Sequence, residues 1–261
     1  MKRTALLILL LLPLMLSAQE NSNLLGYSRF RMGVEGGVGL FVGDVITQSP
    51  IRVNYDDPGY FTGVFNRLTL HYCLGAMSEY SFNSSLSLAA GLRFLGSYSE
   101  LNSGGWGNYF LWKVSETDLV TRYVRLGRLE QNNFYLGIPV EFTVFTYKED
   151  IPVRHFFKAG VNFNFLLTSK TTPDIQNEAM NKYANEIVNG IDKSNVFAAA
   201  FVGTGLKFGK MNHFFGLVEI RVPFALKGNL SSFAKSSVGF ELHTTMYFPM
   251  GKKKVYYISN D

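Results

Sequence analysis

Four histidines are the residues of this 261-residue chain best suited to catalysis: His71, His155, His213 and His243. A histidine can take a proton from a hydroxyl nucleophile or from water, which is the step that cleavage of an acyl chain or a peptide requires. Such a base also needs a partner that orients it. Glu241 lies two residues before His243, and we interpret these two as a structural pair rather than as a catalytic dyad.

The other reactive groups form no recognisable site. Asp56 and Asp57 are followed by Pro58 and Gly59, a composition typical of a turn. Cys73 is the only cysteine, which excludes a disulfide within the chain. No group of Cys, His, Asp and Glu residues has the spacing of metal ligands. We therefore predict no catalytic residue, no metal site and no cofactor.

Charged residues on one side of the alternating segments give a clearer prediction than the reactive groups do. Four acids and five bases fall on the polar side of alternating segments: Glu35, Arg67, Arg93, Glu141, Lys158, Lys207, Glu219, Arg221 and Glu241. If that side is an interior, each charge must be paired, because a lone buried charge costs several kcal/mol. The near balance of sign predicts a closed, salt-bridged interior, whereas a selective pore would favour a ring of one sign.

The segments that carry these charges alternate with period two. In residues 134–145 and 156–167, one face is apolar and the other mixes Gly, Asn, Glu and Lys. The alternation lasts for about 10 residues, the length that a tilted strand needs to cross a bilayer. These strands predict a barrel with an apolar outer face. The main alternative, a soluble lipocalin-like barrel, would place its apolar residues inside.

Eight such segments occur, and their connections are alternately long and short. Bacterial outer-membrane barrels have an even number of antiparallel strands, short periplasmic turns and long external loops. The chain is therefore predicted to be all-β, an eight-stranded antiparallel up-and-down transmembrane β-barrel. Its long external loops are residues 43–65, 99–120 and 169–195, and a moderate loop covers residues 225–235. Residues 121–131 are predicted to extend the fourth strand above the membrane.

The third long loop carries a periodic stripe. Ile175, Ala179, Tyr183 and Ile187 recur every four residues. This spacing predicts a short amphipathic helix that packs its stripe on the mouth of the barrel.

The chain begins with the parts of a secretory signal peptide. Lys2 and Arg3 precede an apolar run and a small residue, so residues 1–18 are predicted to be removed. Residues 19–250 then form the barrel, and residues 251–261 form a short basic periplasmic tail. Without Lys2 and Arg3, 23 basic residues remain against 20 acidic ones, and no basic surface suggests nucleic acid. These features predict the outer membrane of a Gram-negative bacterium.

One strand resembles a known family. Residues 135–142, Tyr-Leu-Gly-Ile-Pro-Val-Glu-Phe, resemble the Tyr-Leu-x-Ile-Pro strand of PorT-like outer-membrane β-barrels from Bacteroidetes-type bacteria. Residues 157–161 are similar to their following Ala-Gly strand, and residues 203–206 to the Gly-x-Gly strand after it. The chain departs from the family after the proline, since no charged residue follows Glu141 until Lys148. The resemblance implies a small barrel, an accessory role in type IX secretion and gliding for some members, and no catalytic residue.

These patterns predict a protein that is not an enzyme and acts through its external loops. Its expected surroundings are outer-membrane lipid or lipopolysaccharide, with a protein partner at the loops or the periplasmic tail. One alternative is an accessory factor of type IX secretion, with the tail docking a partner. Another is a lipid-modifying enzyme, although His243 is followed by Thr244 and Thr245 and not by the His-x-Ser pattern of lipid A deacylases.

Overall fold

Ten β-strands and two short helical segments form the part of the chain that the computed structural model describes. That part is residues 29–44, 51–52, 68–102, 109–116, 121–146, 151–211 and 213–250. The predicted signal peptide and basic tail lie outside it. The strands are β1 Phe30–Val42, β2 Ile51–Arg52, β3 Leu68–Ser81, β4 Leu86–Asn102, β5 Phe110–Glu116, β6 Thr121–Phe145, β7 Val153–Ile175, β8 Val196–Phe208, β9 Phe215–Lys227 and β10 Val238–Pro249. A 3₁₀-helix, Glu178–Tyr183, precedes an α-helix, α1, Ala184–Asn189.

Eight of these strands close into a ring in which every neighbouring pair is antiparallel. The order around the ring is β1, β3, β4, β6, β7, β8, β9 and β10, and β10 returns to β1 with Arg31 opposite Pro249 and Val42 opposite Val238. The predicted all-β, eight-stranded antiparallel barrel is confirmed. Neither of the described helical segments is long and apolar enough to cross a membrane.

The outer face of the ring is apolar, and its inner face is polar. Leu74 and Phe94 point outward and are 67% and 64% exposed, whereas their chain neighbours Cys73 and Arg93 are 8% and 1% exposed. A soluble barrel has the reverse arrangement, so the lipocalin-like alternative is wrong. Large apolar side chains on the outside of a closed barrel are stable where hydrocarbon replaces water.

Two strands continue well beyond the length that a membrane requires. β6 has 25 residues and β7 has 23, against about 10 for a tilted span. Their outer parts stay paired as far as Leu126 opposite Ile175. The predicted extension of the fourth strand through residues 121–131 is confirmed. The sheet therefore projects from the end of the barrel that carries the long loops.

The prediction that residues 99–120 form only a loop is wrong. β4 continues to Asn102, and β5 pairs with the extension of β6. Phe110, Trp112 and Val114 alternate along β5 and are buried. β2, a two-residue strand of the first long loop, pairs with β5 in turn. The projecting strand β6 offers unpaired backbone groups at its edge, and β5 satisfies them.

The third long loop contains the predicted short helix, with two corrections. The loop is predicted to begin at residue 169, but β7 continues to Ile175, so this residue of the predicted stripe belongs to a strand. Ile187 is fully buried, and Ile175 and Tyr183 pack against the same apolar cluster. Ala179 is exposed, and Met180 packs in its place. The reason is that this segment is a 3₁₀-helix, in which three residues complete a turn, so Met180 shares a face with Tyr183.

The outward facing of β10 gives a first prediction. Leu242 lies near the middle of this strand and is 51% exposed on the outer face. Leu242→Lys should destabilise the barrel by about 2–4 kcal/mol, because a charge near the bilayer midplane is costly. Urea unfolding in phospholipid bilayers measures this cost, with Leu242→Met as the matched control. Equal stability of the two variants would show that Leu242 does not face lipid.

Candidate functional site

Six ionised side chains fill the middle of the lumen, and we call them the charge layer. Its members are Glu35, Arg93, Glu141, Lys158, Glu219 and Arg221. Each is at most 3% exposed. They come from β1, β4, β6, β7 and β9, so the layer joins strands from around the whole ring. A barrel of eight strands is narrow enough for such side chains to fill its interior.

Glu141 is at the centre of the charge layer. Its Oε1 accepts hydrogen bonds from Arg221 Nη1 at 2.8 Å and from Arg93 Nη2 at 3.2 Å. Its Oε2 lies 3.1 Å from the ammonium of Lys158. One carboxylate therefore contacts three cations. Without Glu141, the three cations would be left with only Glu35 and Glu219 as acidic partners.

The other two acids complete the balance of charge. Glu35 accepts from Arg93 with both carboxylate oxygens, at 2.7 Å and 2.8 Å. Glu219 Oε1 accepts from Lys158 Nζ at 2.7 Å and also from Arg221. Three acids are thus paired with three bases. Hydrogen bonds between ionised groups are the strong ones, and in a water-excluded lumen they offset part of the cost of desolvation.

Glycines in the intervening strands let these charges meet. Glu35 on β1 and Arg93 on β4 are separated by β3, where Gly75 stands opposite both. A Cβ on Gly75 would lie 2.8 Å from Oε1 of Glu35 and 3.1 Å from the Cα of Arg93. A glycine of β8 stands in the same way between Lys158 of β7 and Arg221 of β9. The ion pair of Glu35 with Arg93 therefore depends on a position without a side chain, and a second such position leaves room where Lys158 and Arg221 converge on Glu219.

The two lumenal histidines have different acidic partners. His71 Nε2 is 2.9 Å from Oε1 of Glu241. His243 is 3.5 Å from Glu35 and from Glu219. The predicted pair of Glu241 with His243 is therefore wrong. Gly39 of β1 stands opposite both His71 and Glu241, so these two side chains reach each other across a position that has no side chain.

The remaining predicted charges lie apart from this layer, and three others were missed. Arg67 lies outside the described residues, and Lys207 is fully buried nearer the end with short turns. Buried Arg31 and Glu79 form an ion pair of 2.9 Å, and buried Arg154 donates to a carbonyl of the short turn after β3 at 2.9 Å. All three continue the alternation of the predicted charges. Extending that alternation to the strand ends would have found them.

An apolar cluster fills the lumen on the short-turn side of the charge layer. It consists of Met77, Ala89, Phe145, Phe156, Met211, Phe215, Leu217 and Tyr247. The ammonium of Lys207 lies 5.8 Å from the ring centroid of Phe215. Large side chains thus pack this end of the barrel against one another.

The loop after β9 enters the barrel from the opposite end, and we call residues 228–236 the plug loop. Gly228 has φ +71°, a conformation that favours glycine, and a Cβ there would collide with the carbonyl of Val196. Leu230 and Phe233 are fully buried. Leu230 packs among lumenal side chains such as Phe41. The sequence predicted only a moderate loop here.

Neutral hydrogen bonds fasten the plug loop to the inner wall. The carbonyl of Leu230 accepts from Ser97 Oγ at 2.9 Å and from Asn133 Nδ2 at 2.7 Å. Gln131 donates to Ser232 Oγ at 2.9 Å and accepts from the amide of Ser232 at 2.8 Å. These wall residues lie on β4 and β6. The loop is therefore held by specific contacts across the mouth of the barrel.

One histidine–hydroxyl pair lies on the outer surface. His155 Nε2 is 2.7 Å from Oγ1 of Thr204, and that hydroxyl also donates to the carbonyl of Phe156 at 3.1 Å. Among the described residues, no acidic side chain contacts His155. The pair therefore lacks the third group that orients a general base in a catalytic triad. Asp56 and Asp57, the predicted turn acids, lie outside the described residues.

The lipid-facing exterior and charged interior agree with the match to a family model. The model described as "Outer membrane protein beta-barrel domain" matches residues 17–231. The chain belongs to this family. It is an outer-membrane protein of a Gram-negative bacterium, as predicted. In this family of barrels the short turns face the periplasm and the long loops face the exterior, which makes the plug loop extracellular.

Solved structures of small outer-membrane proteins are similar to this barrel. Neisserial surface protein A is 10% identical, with a TM-score of 0.44, and the match covers 85% of this chain and 98% of that one. OprG from Pseudomonas aeruginosa is 12% identical, with a TM-score of 0.42 and coverage of 86% and 99%. The outer membrane enzyme PagL is 13% identical, with a TM-score of 0.29 and coverage of 84% and 99%. No curated protein matches the sequence.

The charge layer gives a second prediction. Glu141→Gln should destabilise this family member by about 3–5 kcal/mol, because it leaves three buried cations short of an acid. The double variant Glu141→Gln with Lys158→Met should lose less stability than the two single variants lose in sum, because it removes an acid and a base together. Urea unfolding in micelles measures both.

Glu130 provides the matched control. It lies on the same strand, is partly exposed and forms a 3.1 Å ion pair with Arg128. Glu130→Gln should cost less than about 1 kcal/mol. If Glu141→Gln were as mild as Glu130→Gln, the charge layer would not be the buried network described above.

Proposed function

We propose that this protein is a non-enzymatic outer-membrane barrel with a closed lumen, and that it acts by binding through its extracellular structure. The observation that carries the proposal is the filling of the lumen at three levels. The periplasmic level is the apolar cluster, the middle level is the charge layer, and the extracellular level is the plug loop. A barrel filled in this way supports external binding rather than transport.

The sign of the lumenal charges supports closure. Selective pores use rings of one sign to attract the ion that they conduct. Here the three acids of the charge layer lie within hydrogen-bonding distance of its three bases and neutralise them. Each charged group is thus held by its neighbours, and a passing ion would have to displace those contacts.

The extracellular structure supports a binding role because it is folded and has its own core. Ten buried side chains form this extracellular cluster: Leu101, Phe110, Trp112, Val114, Val124, Leu126, Leu129, Ile187, Ile191 and Phe233. They come from β4, β5, β6, the helical loop and the plug loop. A cluster of this size holds the projecting sheet in one shape, so the groups on its surface are positioned in advance for a partner.

Electrical measurement tests closure. We expect purified wild-type barrels in planar bilayers to show no steady conductance, because each lumenal level blocks the path independently. Replacing residues 229–235 with two glycines should not open a channel, since the charge layer and periplasmic cluster remain. A general porin serves as the positive control. Stepwise, ion-selective conductance of the wild type would overturn the closed barrel.

Two alternatives have specific support. The pair of His155 with Thr204 favours a lipid-modifying enzyme, because a histidine can activate a hydroxyl. Thr204 already donates to a backbone carbonyl and His155 has no acidic partner among the described residues, so we favour a structural role for the pair. The resemblance of residues 135–142 to a strand of PorT-like barrels supports the second alternative, an accessory factor of type IX secretion.

A deletion strain discriminates among these functions. We expect its lipid A, measured by mass spectrometry, and its secreted proteome to match those of the parent. Altered lipid A that Thr204→Val fails to restore would favour the enzyme. Loss of secreted proteins with unchanged lipid A would favour the accessory factor. Complementation with Lys193→Gln, a surface change in the same barrel, controls for expression.

A further inference from the structure

A groove of about 360 Å³ opens on the extracellular structure, between β5, β6 and the 3₁₀-helix. Arg122, Tyr123, Lys182 and Tyr183 supply its polar groups, and Val114 and Met180 contribute to its apolar walls. This volume lies in the range of small-molecule sites, about 300–1,000 Å³. The groove therefore has the size and the mixed lining of a binding site for a ligand of a few rings.

The charge of the groove has one sign. Two cations and no acid line it. Arg122 Nη1 donates to the hydroxyl of Tyr183 at 3.1 Å, and Lys182 Nζ lies 5.2 Å from the centroid of the same ring. Within the described residues, neither cation forms an ion pair. Both cations therefore lie beside Tyr183 and remain available to an anion.

The floor of the groove is rigid. Tyr183 and Met180 pack against the extracellular cluster, in which Trp112 and Ile187 are almost fully buried. The Tyr123 ring is 36% exposed beside them. Tyrosine offers an apolar face and a polar tip with few rotatable bonds, and arginine is suited to the planar pairs of oxygens in carboxylates and phosphates. Two tyrosines beside two cations suit a sugar that carries acidic groups.

The height of the groove above the membrane limits which ligands can reach it. Arg122 is the second residue of β6, and only about 10 of the 25 residues of this strand are needed for the span. The groove thus lies far from the lipid tails, at the level of sugar chains. We propose that it binds an anionic saccharide bearing phosphate, sulfate or carboxylate groups. This inference rests on the proposed binding role of the extracellular structure.

Equilibrium binding to the full barrel in nanodiscs tests the inference. The probes are a sulfated dextran oligosaccharide and the neutral dextran of the same length, at one fixed salt concentration. We expect measurable affinity for the sulfated form alone. Arg122→Gln and Lys182→Gln should each weaken it by about tenfold, the effect of losing one charge-assisted contact. Tyr183→Phe keeps the ring and should weaken binding by releasing Arg122.

Lys193→Gln is the matched control, because it removes the same charge from an exposed position of the same loop outside the groove. Retained heat-modifiable mobility in gels shows that each variant is folded. Purified rough-type lipopolysaccharide, before and after phosphatase treatment, forms a second arm. Phosphate-dependent binding of this probe assigns the saccharide to the cell's own outer leaflet, and binding of sulfated dextran alone assigns it to a free polysaccharide.

The inference is overturned if neutral dextran binds as tightly as the sulfated form, or if the groove variants match Lys193→Gln. It is also overturned if folded, non-conducting barrels bind neither sulfated dextran nor lipopolysaccharide, and in that case the closed barrel still stands. Steady conductance would instead overturn the proposed function, whatever the saccharide measurement gives.

Discussion

The narrow lumen of an eight-stranded barrel requires that every charge inside it find a partner within the reach of a side chain. Neighbouring strands are about 4.8 Å apart, so side chains on alternate strands come together most closely where the strand between them carries none. Gly75 provides this gap for Glu35 and Arg93. The pairing of Glu35 with Arg93 therefore depends on a glycine of the inner face, whereas Glu141 reaches its cations from neighbouring strands and across the lumen.

Paired charges also specify the register of the strands. A buried ion pair contributes little net stability, because desolvation offsets the attraction, but it distinguishes one arrangement from its competitors. A slip of one residue along β6 would turn Glu141 toward lipid and bring Val140 or Phe142 into the lumen. A slip of two residues would separate Glu141 from its three cations. The apolar exterior and the charge layer thus select the same register for independent reasons.

The same constraint explains what could be predicted from the sequence. Lipid touches one side of each spanning strand and the lumen touches the other, so alternation reveals strand number and facing. It does not reveal partners: Glu241 contacts His71, 170 residues away, and not His243. Above the membrane neither face meets lipid, so facing is set by contacts within the extracellular structure. β5, with its buried Trp112, and the plug loop, with Leu230 among serines, are stabilised by contacts between segments far apart in the chain, which local patterns do not encode.

The plug loop and the charge layer are physically separate in this fold. Among the described residues, the plug loop makes hydrogen bonds to wall residues such as Asn133 and none to the charge layer. Losing one neutral bond costs about 0.5–1.5 kcal/mol, whereas leaving one charge of a buried pair without its partner costs about 3–5 kcal/mol, so the loop is the more easily displaced level. Phe233 packs in the extracellular cluster while Leu230 packs in the lumen. A rearrangement of the extracellular cluster would therefore move the plug loop without breaking the ion pairs of Glu141.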